Sequence, residues 1–218
     1  MPKKLILFPF GGNAREALIA IKDINKKKKV WDVLGFADDN KATHGKSSMG
    51  VKVLGGRAIL QKFPKACVLA VPGHPDSYLK REEIISGLNV DEKRWATVIH
   101  PSVFVAADAK IGANTLIMPS VMVSAGVTIG KHCVILPNTV ISHDSTIGDY
   151  CCIGSNVSVS GFVMVEKGCY IGSGSSIRNN ITIKQGSLVG IGANVVANVE
   201  SHVTVIGNPA RIMQGSGS

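Results

Sequence analysis

The sequence predicts two domains: a Rossmann-like α/β domain over residues 1–97, then a left-handed parallel β-helix over residues 98–212. Strand and helix signals alternate in the first part, which favours a small parallel sheet flanked by helices. In the second part, every sixth residue from Ile99 to Val195 is Ile or Val, at all 17 positions. An α-helix has a period of 3.6 and an ordinary strand a period of 2, so a period of six indicates a repeat fold.

The six-residue period has a direct structural meaning. Each hexapeptide forms one flat side of a triangular coil, with its aliphatic residue pointing inward and small or turn residues at the corner. Three hexapeptides close a coil of about 18 residues, and stacked coils pair as parallel sheets around a dry core. Residues 99–195 therefore predict about five and a half coils.

The α/β domain is predicted element by element from short apolar runs and helical spacings. The expected strands are Lys4–Phe8, Trp31–Phe36, Val51–Leu54, Ala66–Val71 and Ala96–His100, and the expected helices are Ala14–Asp23, Arg57–Phe63 and Ser77–Leu88. Asn13, which follows Gly11 and Gly12, is a candidate N-cap of the first helix.

The net charge of +9 is concentrated in the first domain. Residues 1–97 hold 18 Lys and Arg against 10 Asp and Glu, whereas the rest of the chain holds 6 against 5. This excess favours anionic ligands such as nucleotide diphosphates or coenzyme A. Nucleic acid is a poorer candidate, because aromatic residues make up only 5% and no recognition motif is present.

Other features exclude several classes of protein. No apolar run is long enough to span a membrane, and the N-terminal apolar segment is too short for a secretory signal, so a cytoplasmic location is expected. The five cysteines form neither a CxxC pair nor a zinc pattern, which fits reduced thiols. Residues 213–218 end in Gly-Ser-Gly-Ser and are interpreted as a tail that resembles a cloning scar.

His143 is the candidate general base. It follows the inward Ile141 by two residues, so its side chain is expected on the outer surface of the coil, and Asp144 comes directly after it. Imidazole titrates near neutral pH and accepts protons from amines or hydroxyls, while a neighbouring carboxylate orients it. A metal site is not expected, because no pair of histidines here has the five-residue spacing of the related γ-class carbonic anhydrases.

Hexapeptide repeats of this kind resemble the left-handed β-helix acyltransferase superfamily, whose members are typically trimers with acyl-CoA lying between neighbouring coils. The string His-Asp-x-x-Ile-Gly-Asp at 143–149 is similar to the NeuD/PglD family of bacterial sugar acetyltransferases. The turn at 11–16 and the acidic pair Asp38-Asp39 also resemble that family. Further similar segments are Gly161, Ser173-Gly174, Gly190-Ile191-Gly192-Ala193 and Gly207-Asn208-Pro209-Ala210.

The resemblance implies a role for each matching residue. His143 becomes the base and Asp144 its orienting partner. The implied cofactor contacts, along acetyl-CoA as co-substrate, are Cys152, Gly161, Ser173 and Ile191. The implied nucleotide-sugar contacts are Gly11, Gly12, Asn13, Asp38, Asp39 and Gly73, with the glycine turn and helix N-terminus facing the phosphates.

Three residues depart from the pattern of the family. Asn13 stands where the family usually has His, and Pro9 stands where the first Gly of the turn is usual. Cys152 stands where many relatives have a second His that touches the acyl-CoA. The segment Pro72–Pro75 follows the predicted third buried strand, where sugar binding is expected in such a sheet.

These features together predict an acetyl-CoA-dependent N-acetyltransferase that acts on a nucleotide-linked amino sugar, such as a 4-amino-4,6-dideoxyhexose, in surface glycan biosynthesis. Two alternatives remain open. One is a sialic-acid-type O-acetyltransferase, for which the same histidine would serve. The other, of a different class, is a non-catalytic β-helix scaffold or nucleotide-binding module. A homotrimer is expected, because three flat faces allow three-fold packing.

Overall fold

The computed structural model describes residues 1–213, so the predicted tail lies outside the described residues except for Met213. The α-helices are α1 (Gly12–Lys27), α2 (Ile59–Lys62) and α3 (Arg81–Ser86), and short 3-10 helices cover Lys41–Thr43, Pro75–Lys80 and Glu92–Arg94. The strands of the first domain are β1 (Lys3–Phe8), β2 (Trp31–Ala37), β3 (Ser47–Ser48), β4 (Val51–Gly55) and β5 (Cys67–Ala70).

The first domain is an α/β unit, as predicted. Its five strands are ordered β3-β4-β2-β1-β5, and all neighbours pair in parallel except β3 with β4. Helix α1 covers the sheet because its buried residues share one face. Those residues are Ala14, Ala17, Leu18, Ala20 and Ile21.

One expected strand of this domain was assigned to the wrong sheet. The segment Ala96–His100 forms β6 (Val98–Ile99), which pairs with the β-helix through Val98 and Leu116 and not with the sheet of β1 to β5. A bridge between Val68 and Trp95, with the Ala96 N–H donating to the Val68 carbonyl at 2.9 Å, joins this region to the small sheet. The inward position of Ile99 in the six-residue series explains why β6 belongs to the coil.

The second domain is a three-sided parallel β-helix of two-residue strands. The strands that follow β6 are β7 (Phe104–Val105), β8 (Lys110–Ile111), β9 (Leu116–Ile117), β10 (Met122–Val123), β11 (Thr128–Ile129), β12 (Val134–Ile135), β13 (Val140–Ile141), β14 (Thr146–Ile147), β15 (Cys152–Ile153), β16 (Ser158–Val159), β17 (Met164–Val165), β18 (Tyr170–Ile171), β19 (Ser176–Ile177), β20 (Thr182–Ile183), β21 (Leu188–Val189), β22 (Asn194–Val195), β23 (Thr204–Ile206) and β24 (Arg211–Ile212).

These strands form three sheets, which we call sheets I, II and III. Sheet I contains β6, β9, β12, β15, β18, β21, β23 and β24; sheet II contains β7, β10, β13, β16, β19 and β22; and sheet III contains β8, β11, β14, β17 and β20. Paired residues are 18 apart, as in Val123 with Ile141, so one coil takes 18 residues, as predicted. Only the last pair, β23 with β24, is antiparallel within these sheets.

The inward Ile and Val residues line one shared core. From Ile117 to Val195, every member of the six-residue series is at most 2% exposed. The first three members, at 99, 105 and 111, are only partly buried, and they pack against the same cluster at the N-terminal end of the coil. The predicted shared apolar interior is therefore confirmed.

A second six-residue series defines the corners of the coil. Every sixth residue from Asn114 to Gly192 has a positive φ, a backbone conformation that Gly and Asn adopt most readily. The series is Asn114, Ser120, Gly126, His132, Asn138, Asp144, Tyr150, Asn156, Phe162, Gly168, Gly174, Asn180, Gly186 and Gly192. The backbone therefore turns at the third residue after each inward aliphatic residue.

The α/β domain packs on sheet I. A buried apolar cluster joins residues of α1, β1 and β5 to Leu116, Val134 and Cys152 of sheet I. Polar contacts secure the edge of this interface, where Arg81 donates from Nε to the Tyr150 carbonyl at 2.9 Å and from Nη2 to the His132 carbonyl at 2.5 Å. Within residues 1–213, no helix is long and apolar enough to cross a membrane.

Candidate active site

His143 lies at the corner between sheets II and III, two residues after the end of β13. Its side chain is 54% exposed, and its Nδ1 lies 2.9 Å from Oδ2 of Asp144. Asp144 occupies a corner position with φ of 57°, which turns its carboxylate back toward the preceding ring. The expected outward placement of His143 is confirmed, and its Nε2 is left for a substrate proton, because the carboxylate occupies Nδ1.

Gly161 lies one coil beyond His143 and directly beneath its ring. A β-carbon built on Gly161 would lie 2.6 Å from Cε1 and 2.7 Å from Nε2 of His143. The next residue, Phe162, meets the ring edge to face with centroids 5.1 Å apart. The glycine therefore makes room for the imidazole, and the phenyl ring restricts its orientation.

The backbone N–H of Gly161 has no hydrogen-bond acceptor among residues 1–213. Its neighbours in the chain are engaged, because Ser160 N–H donates to the Ile177 carbonyl and Phe162 N–H donates to the His143 carbonyl. A free N–H beside a candidate base is a suitable donor to an oxyanion.

Two other predicted cofactor residues lie on the neighbouring corner, between sheets I and II. Ile191 is 81% exposed, and Ser173 is exposed with its Oγ accepting from Ser155 N–H at 3.1 Å. Gly161 and His143 border one edge of sheet II, and Ser173 and Ile191 border the other edge. The outer face of sheet II therefore lies between the two groups.

Cys152 does not join these residues within one chain. It belongs to β15 in sheet I, is 5% exposed, and lies in the apolar cluster beneath the α/β domain. Burial raises the pKa of its thiol, although Arg81 beside it acts in the opposite direction. Cys152 therefore lies apart from His143 and Gly161 of the same chain, and its contact with acyl-CoA stays a prediction.

The six predicted nucleotide-sugar residues line a single cavity of about 500 Å³ in the α/β domain. The cavity lies at the carboxyl ends of β1, β2 and β5, which is where ligands bind in open parallel sheets. The six residues are Gly11, Gly12, Asn13, Asp38, Asp39 and Gly73. The six residues that the sequence analysis assigns to nucleotide-sugar binding therefore lie together around one cavity.

Asn13 is placed differently from its predicted role as a helix cap. Helix α1 begins at Gly12 with Gly11 as its N-cap, and no side chain caps it. The Asn13 amide reaches across the cavity floor and donates from Nδ2 to the Val71 carbonyl at 3.2 Å. The N-cap prediction is therefore wrong, because the glycine turn enters the helix one residue earlier.

The acidic pair has two different roles in the fold. Asp38 is buried and accepts from Phe10 N–H at 2.9 Å and from Asn40 N–H at 2.8 Å, so it fixes the glycine turn against β2. Asp39 pairs with Arg57 through contacts of 2.6 and 2.7 Å. Partial burial opposes ionisation of Asp39, but the hydrogen bonds from Arg57 outweigh it and lower the pKa of this carboxyl.

Sequence reasoning missed Arg57 as a residue of the cavity. It lines the cavity together with Pro9, His74 and Ser77. Its position in the chain could have identified Arg57 as a cavity residue. Arg57 follows β4, and it therefore lies at the same edge of the sheet as the acidic pair that follows β2. It had been interpreted only as the start of a helix.

The cavity and His143 lie on opposite sides of the β-helix. The α/β domain covers sheet I, whereas His143 lies at the corner that joins the two other sheets. In a three-sided coil that corner is opposite sheet I. Among residues 1–213, no group of three or more His, Cys, Asp or Glu side chains is arranged to hold a metal ion.

The comparisons with known proteins agree with this architecture. Residues 95–190, less than half of the chain, match the family model described as the GMPPB C-terminal domain. No curated protein sequence matches the chain.

Several solved structures are similar over nearly the whole chain. PerB from Caulobacter crescentus, in complex with CoA and GDP-perosamine, has a TM-score of 0.84 at 22% identity, with 98% of each chain covered. The acetyltransferase domain of PglB from Neisseria gonorrhoeae, with acetyl coenzyme A, has a TM-score of 0.82 at 24% identity, with 98% of this chain and 100% of that chain covered. WeeI from Acinetobacter baumannii has a TM-score of 0.73 at 21% identity, with coverage of 98% and 100%.

The predicted fold class is confirmed by these likenesses and by the strand pairing. The chain therefore has the two-domain fold of these acetyltransferase structures, an α/β domain followed by a left-handed parallel β-helix.

Proposed function

We propose that the protein is an acetyl-CoA-dependent N-acetyltransferase that acts on a nucleotide-linked amino sugar. The observation that carries the proposal is the exposed pair of His143 and Asp144, which packs against Gly161, a residue whose backbone N–H has no acceptor within residues 1–213. The cavity that gathers six predicted contacts supports a nucleotide-linked substrate. The structural neighbour PerB, which was solved with CoA and GDP-perosamine, supports the same substrate class.

The mechanism is direct transfer in a ternary complex. His143 takes a proton from the sugar amine through Nε2 as the nitrogen attacks the thioester carbonyl carbon. The N–H of Gly161 stabilises the oxyanion of the tetrahedral intermediate. The carbon–sulfur bond then breaks, the coenzyme A sulfur takes a proton, and the amide remains on the sugar.

The reaction centre lies between subunits of a homotrimer. Within one chain the cavity and His143 face away from each other, so the cavity of one subunit meets His143 of a neighbour. Sheet II offers the packing surface, because its outward column begins with three exposed apolar side chains. They are Phe104, Met122 and Val140, which are 58%, 43% and 37% exposed.

Placement of Cys152 supports the same arrangement. It lies beneath Gly73 at the end of the cavity nearest the β-helix. In a trimer, an acyl group held on a neighbouring sheet II approaches the sugar at this end. Cys152 then lies beside the sugar and belongs to the same subunit as the cavity that binds the sugar. The base, His143, comes from the neighbouring subunit.

The five cysteines are free, which fits a reducing compartment, and we place the reaction in the cytoplasm. The test of the function is release of free thiol from acetyl-CoA with a panel of nucleotide sugars. We expect turnover with at least one nucleotide-linked 4-amino sugar and none with the matching 4-hydroxy sugar. Turnover only with free or CMP-linked sialic acids would instead indicate O-acetylation, and no turnover with any sugar would overturn the proposal.

A further inference from the structure

Arg81 is a buried cation without a carboxylate partner. Its side chain is only 1% exposed, and none of the ion pairs formed within residues 1–213 includes it. Two of its three nitrogens donate to the carbonyls of Tyr150 and His132. Nη1 is buried and has no hydrogen-bond partner in the described chain. A buried cation with an unused donor is costly, so a ligand that satisfies it gains affinity.

The unused nitrogen lies close to Gly73, a residue that lines the α/β cavity. A β-carbon built on Gly73, which lines that cavity, would lie 3.5 Å from Arg81 Nη1 and 3.3 Å from Cys152 Sγ. The closest atom to that point is Nδ2 of Asn13. The Asn13 amide therefore occupies the place next to Gly73 where a side chain would lie, and the guanidinium borders the same place.

The Asn13 amide can be displaced from this place. One hydrogen bond, to the Val71 carbonyl at 3.2 Å, holds its side-chain nitrogen, and the side chain is partly exposed to the cavity. An amide carries no net charge, so an anionic oxygen at the same place interacts more strongly with the guanidinium. Rotation of Asn13 therefore gives a ligand access to Nη1.

We propose that Arg81 determines substrate specificity by binding an anionic oxygen of the nucleotide sugar at the cavity floor beside Gly73. This inference rests on the proposed function and names the chemistry of one subsite. The oxygen belongs either to the diphosphate or to a carboxylate on the sugar, and both present a negative charge to Nη1. If the diphosphate supplies the oxygen, a nucleotide with a neutral sugar also binds to Arg81. If a carboxylate on the sugar supplies it, a nucleotide with a neutral sugar does not.

The test is calorimetric titration of the full chain with UDP, GDP, UDP-glucose and UDP-glucuronate. Two variants probe the subsite. Arg81→Gln removes the charge, and Gly73→Ala places a methyl group 3.5 Å from Nη1 without removing any group that bonds to Arg81. Asn13 yields to the added methyl group, because the closest contact is the end of its flexible side chain. Tyr78→Phe is the matched control, since it removes another bond across the same domain interface, from Tyr78 Oη to the Gly186 carbonyl at 2.8 Å.

If the diphosphate supplies the oxygen, both variants weaken every nucleotide that the unmodified protein binds by at least about tenfold, the usual worth of a charged hydrogen bond. If a carboxylate supplies it, only UDP-glucuronate loses this affinity. Tyr78→Phe leaves all affinities within about twofold. Equal affinity of Arg81→Gln and the unmodified protein for every probe would overturn the inference while leaving the proposed function intact.

If Arg81→Gln does not fold, Gly73→Ala alone decides the test. Weaker nucleotide binding by Gly73→Ala then supports the inference, and unchanged nucleotide binding overturns it. If the unmodified protein binds none of the four nucleotides, this inference is overturned. The proposed function is overturned separately, only if no nucleotide-linked amino sugar of the panel is acetylated.

Discussion

The imidazole of His143 rests on the backbone of Gly161, the residue exactly one coil further along the chain, with room for no side chain between them. On the other side, a β-carbon on Gly126 would lie 2.6 Å from Oδ1 of Asp144. The pair His143 and Asp144 therefore lies between two glycines contributed by different coils. The backbone positions of both glycines follow from the 18-residue coil, so the geometry of the pair depends on the regularity of the repeat.

Substitution of Gly161 by Ala is expected to displace the candidate base. The added methyl group would meet the ring at 2.6 Å, so the imidazole must turn away. We expect kcat to fall at least about tenfold, a loss of ~1.4 kcal/mol of transition-state stabilisation. The measurement is steady-state thiol release, with Asn179→Ala, at the same corner position one coil further on, as the control. Equal kcat in Gly161→Ala and Asn179→Ala would contradict the packing of the ring on this glycine.

Substitution of Asp144 by Asn tests the carboxylate without changing the corner. Asn tolerates the positive φ of this position, so the backbone is expected to stay intact. The amide is neutral and no longer stabilises the protonated imidazole, and we expect kcat to fall about tenfold. The measurement is kcat from steady-state thiol release. A rate identical to that of the unmodified protein would show that Asp144 does not assist His143.

Two inactive variants are expected to restore each other in mixed trimers. His143→Ala keeps the cavity, and Asn13→Trp fills the cavity but keeps the base. With random mixing of equal amounts, about a quarter of the sites combine an intact cavity with an intact neighbouring His143. The measurement is activity of co-expressed and co-purified trimers. Mixed trimers with no more activity than the two separate variants would place the whole site within one chain.

The stability of the protein is expected to fall in mild acid because of His132. Burial lowers the pKa of this side chain below its ordinary value of 6.5. Its Nδ1 lies 2.9 Å from Asn114 Nδ2, and its ring stacks on Tyr150 at 4.7 Å. The unfolded chain therefore binds a proton at a higher pH than the folded chain, so stability is lost as the pH falls below 6.5 and levels off below the lowered pKa.

The measurement is the free energy of unfolding by urea between about pH 7.5 and pH 5. His132→Asn is expected to be less stable at all pH values, because it loses the stacked ring, but to have a flatter pH dependence. His202→Asn is the control, since His202 also has a positive φ but is exposed. A pH dependence that is unchanged in His132→Asn would show that another group causes it.

Most of the fold could be predicted because the β-helix requires an inward branched aliphatic residue at every sixth position, and the sequence shows this period directly. The same register placed His143 on the surface two residues after Ile141. The corners could have been found in the same way, since Gly or Asn occupies nine of the fourteen positions with positive φ. The pairing of β6 with β9 could also have been found from the series, because Ile99 is its first member and Ile117 lies one coil further on.

The arrangement of the site across the domain boundary was harder to predict. Packing of the α/β domain on sheet I buries Cys152 and places Arg81 close to Gly73, and neither contact follows from spacing along the chain. Asp39 and Arg57 are 18 residues apart in the chain and form an ion pair at one edge of the sheet. Their opposite charges alone did not identify them as partners. Contacts between elements distant in sequence depend on tertiary packing, which local patterns do not specify.

The central claim is that His143 is the general base for acetyl transfer. The most direct measurement is the turnover number of His143→Ala with acetyl-CoA and an accepted nucleotide amino sugar, together with its affinity for acetyl-CoA. We expect turnover to fall at least about a hundredfold while the acetyl-CoA affinity stays nearly unchanged, because the lost group acts on the proton of the sugar amine. A variant that retains full turnover would contradict the account.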